Sequence, residues 1–226
     1  MPSGPLVASR LIVNTVLAAD PKRVIDLGMG TGKYGFLIRE QSDLANGRID
    51  RDAWQIKIDG VEGYAAYIGS HQQAVYDTIT VAEVADFLSR SDSDSYDFAL
   101  ALDIIEHFSP ADAVGVVKDA LRVSEYVLIS TPKGFYAQQH GGNELETHRS
   151  WWPSKALREL ATVCEAYVSI AQVRMVNLAL LCKSHPPPSF KLERIFEVSS
   201  VSKDRLLPEL WYYRSIKKAG PSILDT

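Results

Sequence analysis

The sequence predicts an α/β fold: a seven-stranded, mostly parallel sheet with one antiparallel strand, flanked by helices. Three observations predict it. Short apolar runs alternate with stretches of helical periodicity, the pattern of strands joined by crossover helices. The first run, Val24-Ile25-Asp26-Leu27, passes directly into Gly28, Gly30 and Gly32 and then into a helical pattern, a strand–turn–helix junction. The last two runs, Tyr167–Val173 and Leu178–Lys183, are separated only by Arg174–Asn177. That link is too short for a crossover helix, so one of the two must reverse direction.

Taken in order, the expected strands are Arg23–Gly28, Gln55–Val61, Thr78–Val81, Asp97–Leu102, Tyr126–Ser130, Tyr167–Val173 and Leu178–Lys183. The expected helices are Leu6–Ala18, Lys33–Leu44, Tyr64–Val75, Ala82–Arg90, Ala111–Val123 and Pro153–Val163. The first of these, in the N-terminal segment 5–19, is apolar but interrupted by Arg10 and Asn14. It lacks the length of a membrane span and the pattern of a signal peptide. An amphipathic helix and a cytoplasmic location are expected instead. Ser109-Pro110-Ala111 marks a helix start, with a capping hydroxyl and a proline in the first turn. Ser89–Ser95 reads as a polar loop. Pro186-Pro187-Pro188 stops regular structure. The extension 185–226 is expected to be partly helical, over Asp204–Lys218, with a basic end. That helix reads as a solvated face, a homodimer arm or a cover for a substrate site.

The 226 residues fit one domain of generous size, and a hydrophobic content of 46% supplies its core. A formal net charge of −4 and a pI of about 5.7 speak against a general nucleic-acid binder. The two cysteines, Cys164 and Cys182, fall in segments expected to be buried and read as reduced core residues.

The glycine junction carries the most chemistry. Glycines permit positive φ and let a ligand lie against the backbone, and the next helix offers unpaired N–H groups to an anionic ligand group. Asp26 stands where a carboxylate can organise the turn or receive a cationic group. A phosphate-binding Walker loop is excluded, because Leu27 occupies its first glycine position and Tyr34 its metal-binding hydroxyl. A dinucleotide fingerprint matches literally at Gly30, Gly32 and Gly35. Its first glycine should directly end the strand, however, and Leu27-Gly28-Met29 intervenes.

Counted from Gly28, the run Asp26-x-Gly28-x-Gly30-x-Gly32 resembles the first motif of the class I S-adenosylmethionine-dependent methyltransferases. The resemblance extends over roughly residues 22–184. After the second strand, Glu62 matches the family's acid that binds both ribose hydroxyls, and two vicinal O–H donors suit one bidentate carboxylate. The gap from Gly32 to Glu62 is longer than usual, and Asn46–Asp52 looks like an insertion. Ala82-Glu83-Val84 is similar to the adenine-binding Gly-Asp-Ala. Glu83 would then accept from the adenine amino group and the Val84 N–H would face a ring nitrogen. A helix-capping role for Glu83 stands beside that reading. Asp103-Ile104-Ile105-Glu106-His107-Phe108 resembles the Asp-x-x-Glu-His run after the fourth strand of many small-molecule members. Two acids and a histidine at the carboxyl end of a parallel strand are expensive unless a ligand is there, and open α/β sheets bind ligands at that edge. The resemblance implies a Rossmann-like three-layer sandwich, a single domain over 1–184, and S-adenosyl-L-methionine as cofactor, with S-adenosyl-L-homocysteine as product. Gly28, Gly30 and Gly32 would hold its methionine end with Asp103 nearby.

The segment Ser130–Pro153 lacks periodicity and carries Trp151, Trp152, His140, Glu144, Glu146 and His148. Long loops of this kind are commonly functional, and aromatics with a few polar groups describe a pocket wall or lid. Glu146-Thr147-His148-Arg149-Ser150-Trp151 resembles a Glu-x-His-Arg-Ser-x-Trp stretch of a bacterial subgroup. The spacing of His140, Glu144, Glu146 and His148 matches no defined metal site, so no metal is expected. His107 and His148 are the candidates for removing an acceptor proton, against the alternative that each only pins its loop by hydrogen bonds. The expected activity is methyl transfer to an oxygen or nitrogen of a small-molecule acceptor. No Asn/Asp-Pro-Pro-aromatic run follows the fourth strand, so neither nucleic acid nor membrane is an expected partner. An NAD-dependent oxidoreductase and a non-catalytic cofactor-binding module are the alternatives.

Overall fold

The computed structural model describes residues 6–135, 137 and 142–185. His140 and the helix expected at Asp204–Lys218 lie outside the described residues. Seven strands form one sheet: β1 (Arg23–Leu27), β2 (Lys57–Glu62), β3 (Thr78–Val81), β4 (Tyr96–Leu102), β5 (Ser124–Pro132), β6 (Tyr167–Val173) and β7 (Val176–Cys182). Their spatial order is β3-β2-β1-β4-β5-β7-β6. Only β7 runs antiparallel to its neighbours, so the sheet is parallel except for one reversed strand, as expected. The link before β7 shrinks to Arg174 and Met175 because pairing begins two residues earlier, at Val173 opposite Val176.

The helices are α1 (Ser9–Ala18), α2 (Lys33–Ser42), α3 (Ser70–Val75), α4 (Val84–Arg90), α5 (Pro110–Val123) and α6 (Ser154–Val163). Alternation along the strands divides the core. Val24, Ile58, Phe98, Leu100, Leu128 and Leu180 face one side, against Ile12, Val13 and Val16 of α1 and Ile38 of α2. Ile25, Leu27, Val61, Ala99, Ala101, Val127 and Leu181 face the other, against Val84 and Leu88 of α4, Val116, Val117 and Ala120 of α5, and Leu157 and Leu160 of α6. The result is a three-layer sandwich, and burial on both faces is why these strands read as continuous apolar runs. Among the described residues no helix is long and apolar enough to cross a membrane. Both cysteines are free.

Three expected helices change at their ends, each for a local reason. The helix expected over Tyr64–Val75 is broken into a single turn, Ala65–Tyr67, and α3. Gly69 between them is extended, and its N–H donates to the Gln72 side chain at 2.7 Å. The helix expected from Ala82 starts at Val84, because Glu83 is extended at the N-cap position. α2 stops at Ser42 rather than Leu44. There the carboxyl of Asp43 takes bonds from Arg39 (2.7 Å), Arg48 (2.8 Å), the Ser42 hydroxyl (3.1 Å) and the Gln55 N–H (2.9 Å). α5 starts as expected, with the Asp112 N–H on the Ser109 hydroxyl at 3.2 Å and Pro110 at its first position.

The inserted segment after α2 is thereby tied to the body of the protein through Arg39. This guanidinium is buried, pairs with Asp43 and Asp77 (both 2.7 Å), and lies 3.8 Å from the Trp54 ring centroid. Breaking a buried pair by removing one partner is strongly destabilising. Arg39→Met should therefore cost about 3–5 kcal/mol, read as a lowered urea midpoint with an unchanged slope.

Candidate functional site

The carboxyl ends of β1, β2 and β4 open into one cavity of about 800 Å³. Of the residues expected at a site, Asp26, Gly28, Gly30, Glu62, Glu83, Val84, Asp103, His107 and His148 all line it. Gly32 does not. Its φ is +74°, and a Cβ there would sit 2.9 Å from Gln72 Cγ and 3.1 Å from the Tyr76 ring, so its role is to let α2 begin against that packing. Gly30, with φ +52°, is different: its Cα faces open space and leaves room for a ligand.

The glycine turn is held from two sides. Glu62 Oε2 accepts from the Gly30 N–H at 3.0 Å while Oε1 accepts from the Tyr64 N–H at 2.8 Å. The Gly63 backbone also faces this carboxyl, which is thereby oriented with part of its four-fold acceptor capacity left for donors from the cavity. On the other side Gln72 Nε2 donates to the Gly30 carbonyl at 2.8 Å and to the Tyr67 carbonyl at 2.7 Å. Gln72 is a site residue that sequence reasoning missed, since a glutamine in a helical pattern reads as solvated. Tyr76 was missed as well. Its hydroxyl donates to Asp26 at 2.6 Å. The signal was indirect: a buried Asp26 must find a donor somewhere.

The acids at this edge share one electrostatic condition. Burial pushes Asp26 up to about 6, against the hydrogen bond from Tyr76 and with help from Glu62. Burial likewise raises Glu62 and Asp103, and lifts Glu106 well above the usual carboxylate range with Asp103 adding to it. Asp103 adopts a left-handed backbone, φ +54°, and its carboxyl accepts from the Ser130 hydroxyl at 2.8 Å. Burial lowers Lys33, another residue of the cavity wall, while Asp103 opposes that change.

The far half of the cavity joins the turn after β4 to the segment 147–150. The Glu106 carbonyl accepts from the Arg149 and Ser150 N–H groups at 2.8 and 3.0 Å, and the Arg149 guanidinium donates to the His107 carbonyl at 2.7 Å. His107 Nδ1 lies 3.3 Å from the Thr147 carbonyl, and the His107 and His148 rings are 4.9 Å apart at 60°. Burial lowers His107 below its ordinary value, which keeps the imidazole neutral at pH 7. Polar atoms of Glu106, His107 and His148 lie within 4.8 Å of one another. This is a different set from the His140, Glu144, Glu146 and His148 weighed on spacing: Glu144 is exposed. The tryptophans are also corrected. Trp152 is buried in the core with its indole N–H on Ser150 at 2.7 Å, and Trp151 is half-exposed with its N–H on the Lys133 carbonyl at 3.1 Å. Neither lines the cavity, whose apolar wall includes Phe108, Leu145, Met175 and Val176 instead.

No family model and no curated protein matches the chain. Solved structures do. The N-terminal domain of EvdMO1, crystallised in the presence of SAH and D-fucose, is 15% identical with a TM-score of 0.55, covering 81% of this chain and 85% of that one. Magnesium protoporphyrin IX methyltransferase (ChlM) from Synechocystis PCC 6803 with bound SAM is 15% identical with a TM-score of 0.54, covering 79% and 81%. A SAM-dependent methyltransferase from Archaeoglobus fulgidus is 11% identical with a TM-score of 0.57, covering 77% and 94%. The chain therefore has the fold of the class I S-adenosylmethionine-dependent methyltransferases, as the sequence motifs implied.

The raised Asp26 sets a pH dependence. Its folded value lies above its unfolded one, so the stability it contributes is complete below pH 3.8 and is lost as pH rises through about 6. Asp26→Asn removes this titration while keeping an acceptor for Tyr76. Its stability relative to the parent should rise by roughly 2–3 kcal/mol between about pH 4 and about pH 7.5. Urea unfolding at the two pH values checks it.

Proposed function

We propose that the chain is an S-adenosylmethionine-dependent methyltransferase acting on an oxygen or nitrogen of a small-molecule acceptor. One observation carries this reading. Gly28 and Gly30 of the turn, Glu62 and the Glu83-Val84 pair line the same cavity as Asp103, His107 and His148. A bound nucleoside would thus meet an acceptor inside one enclosure. β1 ends at Leu27, so the first glycine after the strand is Gly28, which is the register of the methyltransferase motif and not of the dinucleotide fingerprint. The D-fucose present with EvdMO1 supports an acceptor of small, hydroxylated type.

In this reading Glu62 takes the ribose hydroxyls, Glu83 the adenine amino group and the Val84 N–H a ring nitrogen. Gly30 gives the methionine end its close approach to the backbone, Gly28 makes room for the Ile104 side chain and Gly32 for Gln72 and Tyr76, and Asp103 and Asp26 supply negative potential near the ammonium and sulfonium. The acceptor atom attacks the methyl carbon in line. The C–S bond breaks, its electron pair stays on sulfur, and S-adenosyl-L-homocysteine leaves as a neutral thioether. The enclosure contributes chiefly by holding the two reactants at attack distance. The acceptor's proton is dealt with at the His107–His148 pair. One domain over 1–184 with an extension at 185–226, a cytoplasmic place of action and a homodimer belong to the same proposal.

Calorimetry tests it: S-adenosylmethionine should bind with about one equivalent per chain and NAD should give no heat. Glu62→Gln should weaken that binding by roughly 1–3 kcal/mol, the loss expected for a hydrogen bond to a charged group; unchanged affinity would remove the ribose assignment. His107→Ala and His148→Ala should each keep cofactor affinity and lose turnover, followed as S-adenosylhomocysteine release with a panel of hydroxylated acceptors. Full turnover in both would relieve them of any part in the chemistry.

A further inference from the structure

We propose that Glu106, His107 and His148 form a site for one divalent transition-metal cation. Their ligand atoms lie within 4.8 Å of one another, so that small side-chain rotations bring them to the ~3–3.4 Å spacing of neighbouring ligands around an ion bonded at ~2.1 Å. Glu106 supplies the second, independent observation. It is only 2% exposed, it lines the cavity, and among the described residues neither of its carboxyl oxygens has a hydrogen-bond partner outside its own residue. Buried carboxyl groups are ordinarily satisfied, and leaving one unpaired is costly. A cation held between the three side chains removes that deficit.

The histidines are arranged to match. His107 Nδ1 faces the Thr147 carbonyl at 3.3 Å, an acceptor that favours the ring proton on Nδ1 and the lone pair on Nε2, with the Asp103 backbone also against the ring. A backbone carbonyl behind a ligating imidazole is the usual way such rings are oriented. His148 comes from the segment tied to the Glu106 carbonyl through Arg149 and Ser150, so the third ligand is anchored to the same turn that carries the other two. One carboxylate with two imidazoles suits Mn²⁺, Fe²⁺, Co²⁺ or Zn²⁺ better than Ca²⁺ or Mg²⁺, which favour all-oxygen shells. Three protein ligands leave coordination positions open toward the cavity.

Cation binding stands apart from the methyl-transfer reading, but the use made of it rests on that reading. An acceptor hydroxyl reaching an open position would have its pKa lowered, and its proton would pass to solvent as the oxygen attacks the methyl carbon. The pair His107–His148 would then handle the acceptor's proton through the ion and not by taking it on a ring nitrogen.

The test is Mn²⁺ titration of the chelator-stripped full chain, with free Mn²⁺ read by electron paramagnetic resonance. One saturable site per chain is expected. Glu106→Gln and His148→Ala should each weaken it at least about a hundredfold, beyond the roughly 10–100-fold that loss of an outer-shell partner costs, while Glu144→Gln should leave it unchanged. Should the variants misfold, the parent chain still decides the matter: substoichiometric Mn²⁺ should broaden two of the five histidine C2–H resonances before the rest. No saturable site, a site surviving both substitutions, or broadening that spares every histidine overturns the proposal. S-adenosylmethionine calorimetry in excess chelator separates the two readings. Cofactor binding without Mn²⁺ binding sinks the cation site alone, and the reverse result sinks the methyl-transfer reading alone.

Discussion

Everything at the carboxyl edge of this sheet follows from crowding four acids, Asp26, Glu62, Asp103 and Glu106, into a cavity where water cannot fully solvate them. Each is raised by burial, opposed at Asp103 by the nearby Lys33. The contrast is Arg39, where two carboxylates meet a buried guanidinium and the charges close on themselves. A folded chain that neutralises one buried cluster internally and leaves another acidic has kept the second for a positively charged guest. A sulfonium, an ammonium and a divalent cation all answer that description.

The acids are useful because the backbone around them is fixed from outside the cavity. Gln72 and Glu62 grip the two sides of the Gly30 peptide, and Ser130 holds Asp103 in a conformation that only a few residue types tolerate. The segment that delivers His148 hangs from the carbonyls of Ile105, Glu106 and His107. No single element contains the site. It exists only when β1, β2, β4 and the 147–150 segment are in register.

Much of this was legible in the sequence, and the part that was not has a physical reason. Strands such as Tyr167–Val173 and Thr78–Val81 could be read to the residue, because runs rich in β-branched and aromatic residues bounded by turn residues mark strands even where, as in β3, the strand is only partly buried. The glycines, Glu62 and Asp103 were legible because glycines and acids cluster at the carboxyl ends of parallel strands where a ligand edge lies. What could not be read were contacts made across long sequence distances by residues of ordinary appearance. Gln72 sits in an apparently solvated helix, Tyr76 ends a helix before β3, and Glu106 gives no hint of lacking a partner. The two tryptophans misled for the converse reason. Aromatic content marks burial as readily as it marks a binding wall, and Trp152 was spent on the core. Gly69 shows the limit of periodicity, since one extended glycine divides what the pattern joins.

The reversal of β7 has an effect on how the cavity could change over time. Because β6 and β7 meet in the two-residue bend Arg174-Met175, that rim is a hairpin tip bearing Met175 and Val176, tied to the end of β5 by the Lys133 N–H on the Met175 carbonyl at 3.0 Å. Side chains there can be exchanged, or the bend lengthened, without touching β1, β2 or the glycine junction. The nucleoside half and the rim opposite are therefore separable under selection, and a lineage could revise what the enclosure admits while conserving what energises it.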